Sequence, residues 1–477
     1  MSLAPPPPVP TGVATRLLAD LRAERAAQRR IPFPPGETLP SLRRTRRFNY
    51  EPLPVLLEAY ERYGPIFTLR VFHAQIVFML GPEANHFMLV SHADHFTWRE
   101  GHLGDLIPLL GDGLLTTDGP FHDGARRIML PAFGRERVAA TLDTMLPEID
   151  RALHGWHDGA ALDLYAWTRN LALRIAMRAL FGLDPDGPRA RDAKAAAQFE
   201  DALGFWANDY FLQVLRGPRT PWTRMLQARR RLDAIVHDEI ARRRRTGERG
   251  EDILSMLLDA ADDEGRRLDD DHVRDQVMTL LFAGHDTTTS TIAFLFHELA
   301  RHPAERDRLL AERDAVLGRR DPTFAELMGG VLPRLDRVLD ETLRLFPAAW
   351  IGPRRSARPF RFAGHAVPAG VPVNYSSWAS HRLPDVWGDP EAFRPDRFAA
   401  PHRAQIPKGA YVPFGGGSRT CLGMRFGQLE IKTIVSRILR DFTLDLESGF
   451  ALRVRQMPTI SPRDGLPMRV RARTGPR

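Results

Sequence analysis

One cysteine is all the chain has. Among 477 residues, a single thiol rules out an intrachain disulfide, and with it the stapled frameworks of small secreted domains. Lysine is almost missing too: it occurs only at 194, 408 and 432, so the 67 basic residues are nearly all arginine. No apolar run approaches the ~18–20 residues that cross a bilayer. Met1–Pro10 is proline-rich and lacks both the basic and the apolar segment of a secretory signal. The expected compartment is therefore the cytoplasm. There is no internal repeat, no zinc-finger spacing, no compact helix-turn-helix and no RNA-module signature. The formal net charge of +8 thus gives no reason to expect nucleic acid. Arginines on solvated helix faces account for most of it, and a basic patch for an acidic electron-donor protein is the sharper reading.

What is present suits a soluble globular enzyme: 43% hydrophobic and 26% charged residues, with no linker long enough to divide the chain. Residues 1–40 read as a flexible Pro/Arg-rich leader and 41–477 as one domain. The runs Ile66–Val71 and Gln75–Leu80 predict a strand pair. From about 120 to 345 the periodicity is helical, with segments at Thr141–Trp156, Trp167–Phe181, Thr223–Arg244 and Asp252–Ala261. The longest, Leu268–Arg301, is acidic at its start, has no internal proline, and would span ~45–50 Å. Beyond Pro347 the helical period fails, and short runs such as Val371-Pro372-Val373 suggest small strands. A helix resumes over Gly423–Arg440. The fold class is mainly α with minor β sheets.

The cysteine lies in Phe414-Gly415-Gly416-Gly417-Ser418-Arg419-Thr420-Cys421-Leu422-Gly423. Glycines allow left-handed backbone and close approach to a bulky ligand, and inward-pointing N–H groups around a thiolate tune an iron–sulfur bond. The pattern F-x-x-G-x-R-x-C-x-G resembles the haem-binding loop of the cytochrome P450 superfamily. The resemblance extends from about residue 60 to the C-terminus. It implies that Cys421 is the proximal ligand of haem b, with Phe414, Gly417, Arg419 and Gly423 shaping the cofactor site.

Within the long predicted helix stands Ala283-Gly284-His285-Asp286-Thr287-Thr288-Thr289. Glycine and three successive threonines are poor interior choices, at up to ~1 kcal/mol for the glycine. A threonine hydroxyl can also bond the carbonyl one turn back. A carboxylate beside a hydroxyl in such a loosened groove can relay protons. The segment is similar to the family's A-G-x-[DE]-T-[TS] signature, which implies that Thr287 positions the group to be protonated and Asp286 feeds protons in. His285, at the variable position, reads as a groove or packing residue.

Further pieces match the same family. Glu341 and Arg344 sit three apart on a helix, and Phe393-Arg394-Pro395-Asp396-Arg397-Phe398 follows. The resemblance implies a buried network of Glu341, Arg344 and Arg397 that fixes the cysteine loop. His122 and Arg126, four apart, match the family's W/H-x-x-x-R helix. Arg354, with Arg355 as the near alternative, matches its arginine beyond the E-x-x-R helix. With Arg419, these are the expected partners of the haem propionates.

The implied activity is a monooxygenase acting on a small hydrophobic molecule, with electrons from a ferredoxin or flavodoxin and its reductase, and a monomeric chain. Arg126, Arg127, Arg425 and Lys432 are candidates for the donor's docking face. A haem-thiolate isomerase, lyase or peroxygenase, and a haem sensor, are the alternatives; the intact Asp286-Thr287 pair argues against the first, and the Gly/Thr interruption of the long helix against the second. Expected pocket walls are Trp98–Leu115, Phe205–Phe211, Phe282 with Ala283, and Trp350–Gly352. Phe205, Trp206, Phe211 and Trp222 either roof the pocket or meet a membrane.

Overall fold

Alternating and continuous apolar runs pair as strands wherever one face can be buried. In the computed structural model, Ile66–Val71 pairs antiparallel with Ala74–Met79, as the sequence predicts. The structure describes residues 13–28, 31–101, 106–186, 190–205, 212, 215–250, 252–261, 265 and 267–473. The hairpin lies inside a six-stranded sheet. Gly36–Glu37 runs parallel to its first strand, and Pro372–Tyr375 parallel to its second. Gly352–Ser356 and then Phe96–Thr97 continue antiparallel. A three-stranded sheet joins Phe442–Leu446, Pro467–Ala472 and Ala161–Asp163.

Part of the expected leader is structured. Val13–Gln28 is a helix that docks on the hairpin: Glu24 binds Arg70 at 2.5 Å, and Asp20 meets His73 at 3.1 Å and also Arg355. Arginine-rich composition suggested a solvated tail; buried acidic partners on one helix face override it.

Asp270–Arg301 is the central helix. Asp269 caps it, accepting from the His272 N–H at 2.8 Å, and Asp270 and Asp271 lie at the positive end of its dipole. Every residue from Thr288 to Leu299 is buried, so this half is enclosed on all sides. Leu164–Phe181 packs along it, and Pro333–Leu345 and Met424–Asp441 cross it. The helix stays continuous through the Gly/Thr segment. The threonines bond one turn back: Thr287, Thr288 and Thr289 donate to the carbonyls of Ala283, Gly284 and His285 at 2.7, 2.8 and 2.8 Å. The expected weakening is thus absorbed without a break.

Where the central helix meets Met424–Asp441, a carboxyl is enclosed. Glu430 is buried, neither of its oxygens has a hydrogen-bond partner, and burial pushes its carboxyl well above the usual range. The Thr288 hydroxyl faces it but is already given to Gly284. Glu430 therefore stays protonated when folded, whereas the unfolded chain releases that proton near pH ~4.3. Unfolding sheds a proton, so this group's contribution to stability is complete below that pH and is lost as pH rises. The Glu430→Gln variant, uncharged at every pH, should melt higher than the parent protein at neutral pH, with the gap closing toward about pH 4. A gap independent of pH in thermal melts would refute the assignment.

Candidate active site

Left-handed glycines build the cysteine loop. Gly417 has φ +61°, and a Cβ there would lie 2.1 Å from the Leu89 carbonyl oxygen, so only glycine fits. The loop closes when the Cys421 N–H donates to Phe414 O at 2.9 Å. Met424–Asp441 starts directly afterwards. At Gly423 the nearest atom to an added Cβ is Phe133 at 3.8 Å, which leaves room for a side chain.

The Cys421 thiol is exposed, yet what it faces is an internal cavity of about 820 Å³. Protein encloses it otherwise. Burial pushes the thiol pKa up, against the Gly423 N–H and the Arg126 charge, which pull it down. Thr287 lines the same cavity, together with apolar walls that include Leu115, Phe282, Ala283 and Trp350.

Asp286 is buried beside the cavity, which it does not itself line. Arg169 donates to one of its oxygens at 2.5 Å, and the Thr459 hydroxyl, which does line the cavity, donates to the other. Arg169 reaches on to Glu200 at 2.8 Å, and His285 Nε2 lies 3.1 Å from the same carboxylate. A carboxylate, a guanidinium and a half-exposed glutamate thus run from the helix centre toward solvent.

Behind the cysteine loop is an ion pair fully removed from solvent. Glu341 and Arg344 are both 0% exposed. Two parallel bonds join them, at 2.8 and 2.9 Å, the bidentate geometry that guanidinium favours. The remaining Arg344 hydrogens go to the carbonyls of His381, Pro390 and Ala392. Glu341 also accepts from Arg397 Nε at 3.3 Å and from the Arg394 N–H at 2.8 Å. His381 carries the network to the loop: its Nδ1 lies 3.2 Å from Arg344 O, and its Nε2 accepts from the Val412 N–H at 2.9 Å. Burial and the Arg344 charge hold His381 neutral, with its pKa lowered to about 3.

A group of cations closes the other side. Arg354 is 3% exposed, its guanidinium stands 3.3 Å from the Trp98 ring centroid, and it forms no ion pair among the described residues. Burial lowers its pKa to about 10. A buried cation without an ion-pair partner is costly; Arg354 donates to Pro353 O at 2.9 Å instead. Arg419 faces Trp98 at 5.1 Å and is held by Asp118 at 2.7 Å. Arg126 donates to Thr420 O at 2.6 Å. His122 is buried against Asp123 at 2.9 Å, with a pKa lowered to about 4 by burial and by Arg419.

The family profile described as cytochrome P450 matches residues 34–461. The cyclooctat-9-en-7-ol 5-monooxygenase of Streptomyces melanosporofaciens is 35% identical over 72% of this chain and 75% of its own length. The pentalenene oxygenase of Streptomyces avermitilis is 31% identical over 77% and 81%. A retinoic acid-bound structure of a cyanobacterial P450 superposes with a TM-score of 0.83 at 29% identity, covering 93% of this chain and all of that one. The chain belongs to the cytochrome P450 family.

As a cytochrome P450 it is a haem-thiolate oxidoreductase, a monooxygenase by reaction class. The structure brings Cys421, Phe414, Gly423, Arg126, His122, Arg419 and Thr287 to one cavity, with Arg354 beside it through Trp98. Arg355 is drawn off by Asp20, Glu100 O and Gly370 O. Two expectations need correction. Lys432 is buried, bound to Asp336 at 2.5 Å and to Leu327 O at 2.9 Å, so it is no part of a docking face. Phe205 is buried against Trp222 with ring centroids 5.6 Å apart, and neither lines the cavity. Trp206 and Phe211 lie outside the described residues. Sequence reasoning missed Arg169, Glu200, His381, Thr459 and Asp118, all joined to their partners only by long-range folding.

Two outcomes follow for this P450. Glu341→Ala would strand Arg344, at a cost of about 3–5 kcal/mol, and the haem content of the purified protein should collapse; a normal haem-to-protein ratio would exclude the role. Histidines in the unfolded chain take up protons near pH ~6.5, whereas His381 and His122 resist until about 3 and about 4. Their contribution is complete above that unfolded value and is lost as pH falls. In the Glu430→Gln background, which removes that acid's opposing titration, melting temperature should therefore drop between about pH 6.5 and 5, above the range of ordinary carboxylates; a flat profile there would contradict it.

Proposed function

We propose that this P450 carries haem b on Cys421 and oxygenates a hydrophobic isoprenoid-type molecule, using electrons from a separate ferredoxin or flavodoxin with its reductase. The observation that carries the reading is one apolar cavity lined by both Cys421 and Thr287, with an unpaired buried arginine beside it. Residues 41–477 form the catalytic domain in this reading. Arg425, exposed four residues past the cysteine, suits the electron donor's docking face.

The residues fit the cofactor. Arg354 supplies the cation for a propionate, and Arg419, His122 and Arg126 stand by for the second. Cys421 gives up its proton on metal binding, as thiolate ligands do. When bound, the haem supplies activation of dioxygen, favoured by electron donation from sulfur. The chain's own part is ligation, proton supply and a dry pocket.

Thr287 gives its hydroxyl hydrogen to Ala283 O, which leaves its lone pairs to orient a water in the cavity. Asp286 is the carboxylate through which protons would pass, and the Thr459 hydroxyl donates to it from the cavity wall. Arg169 and Glu200 link that carboxylate to the outside. The isoprenoid class is supported by the relatives, whose names specify a cyclooctatenol, pentalenene and retinoic acid, and by walls of Leu, Phe and Trp.

Cys421→Ser should abolish the red-shifted Soret band of the reduced, carbon monoxide-treated protein while the fold survives in circular dichroism; retention of that band would end the assignment. Thr287→Ala and Asp286→Asn should slow product formation by roughly 10²-fold, with the substrate-induced spectral shift unchanged. Equal turnover in both variants would remove the proton-supply role.

A further inference from the structure

The cavity has a second cationic region away from the cysteine loop. Val454–Arg455 pairs antiparallel with Ser461–Pro462, Arg455 opposite Ser461, and the next pair joins the Arg463 N–H to Arg453 O at 2.7 Å. Alternate residues share a face, so Arg453, Arg455 and Arg463 project from the same side of the hairpin. One carboxylate lies near them, and among the described residues it pairs with Arg453 alone. Asp464 is gripped by Arg453 through two bonds, at 2.7 and 2.8 Å. Its carboxyl is held below the usual range, first by that bond and then by the charges of Arg453, Arg463 and Arg455.

Arg455 and Arg463 are left over. Neither forms an ion pair among the described residues. Arg455 touches the Tyr165 hydroxyl at 3.5 Å and the Ser461 hydroxyl at 3.4 Å, and its buried Nε has no partner. Arg463 lies 5.6 Å from the Tyr50 ring centroid. Both line the cavity, and Asp464 is the one carboxylate among its described lining residues. Around them are Phe48, Asn49, Tyr50 and the backbone-bound Gln456. A half-buried guanidinium whose Nε lacks a partner, Arg455, with the exposed Arg463 on the same hairpin face, favours an apolar ligand with a single anionic end. The planar fork of guanidinium matches a carboxylate through paired hydrogen bonds.

We propose that Arg455 and Arg463 receive the carboxylate of the substrate, which is therefore an isoprenoid acid rather than a hydrocarbon or an alcohol. This rests on the functional reading above, and the reduced carbon monoxide spectrum, recorded for every variant, tests that reading separately. The experiment titrates the haem-loaded protein by difference absorption with geranylgeranoic acid, its methyl ester, geranylgeraniol and geranylgeranyl monophosphate. The acid should bind at least about tenfold more tightly than the ester and the alcohol, with the advantage shrinking as salt rises. The Arg455→Gln/Arg463→Gln double variant should bind acid and ester alike. Asp464→Asn, which removes the competing carboxylate, should strengthen acid binding. Equal affinity for acid and ester in the parent protein, a preference that survives the double variant, tighter binding of the phosphate, or no binding of any of the four would each overturn the proposal, even where the carbon monoxide spectrum is normal.

Discussion

Everything at the proximal side of this P450 hangs on a carboxylate and a guanidinium that water never reaches. Glu341 and Arg344 sit one helical turn apart, where an exposed pair would contribute only tenths of a kcal/mol. Burial changes the stakes, because either partner alone would be an unsolvated charge. Arg344 then ties down three separate carbonyls, and Glu341 collects Arg394 and Arg397. Through His381 the constraint arrives at Val412, two residues before the phenylalanine whose carbonyl closes the cysteine loop. The position of one sulfur is thus set by a chain of saturated polar groups with little slack.

The distal side uses the opposite device. In the central helix, the run of threonines satisfies its own hydroxyls on the preceding turn, so the segment stays helical while presenting small polar groups to the cavity. Asp286 is kept off the cavity surface and held by Arg169 and Thr459. A carboxylate clamped in this way is kept out of bulk water. Glu430, on the helix that follows the cysteine, meets the same threonine run from the far side as a neutral acid.

Charge is unevenly distributed in the cavity. Arg354 stacks on Trp98 and forms no ion pair among the described residues, and Arg419 is paired with Asp118. At the hairpin Arg453 takes Asp464, and Arg455 and Arg463 form no ion pair among the described residues. A chain with so much arginine and so little lysine can build such sites because guanidinium tolerates partial burial and stacks on rings, as over Trp98 and Tyr50.

Local pattern alone determined the helical class, the long central helix, the first strand pair and the loop around Cys421, because periodicity and glycine placement act over neighbouring residues. Glu341, Arg344 and Thr287 came from the resemblance to the family's motifs, not from their spacing alone. Tertiary structure decided the rest. Only folding could show that Arg354 lacks an acid while Arg355 has one, that Lys432 is buried, and that a helix within the first 40 residues docks through Asp20 and Glu24. Partners such as Arg169 with Asp286, or Thr459 with Asp286, are separated by more than a hundred residues. The physical reason is that burial and ion pairing depend on which surfaces meet, and a linear order of residues carries that information only through the folded chain.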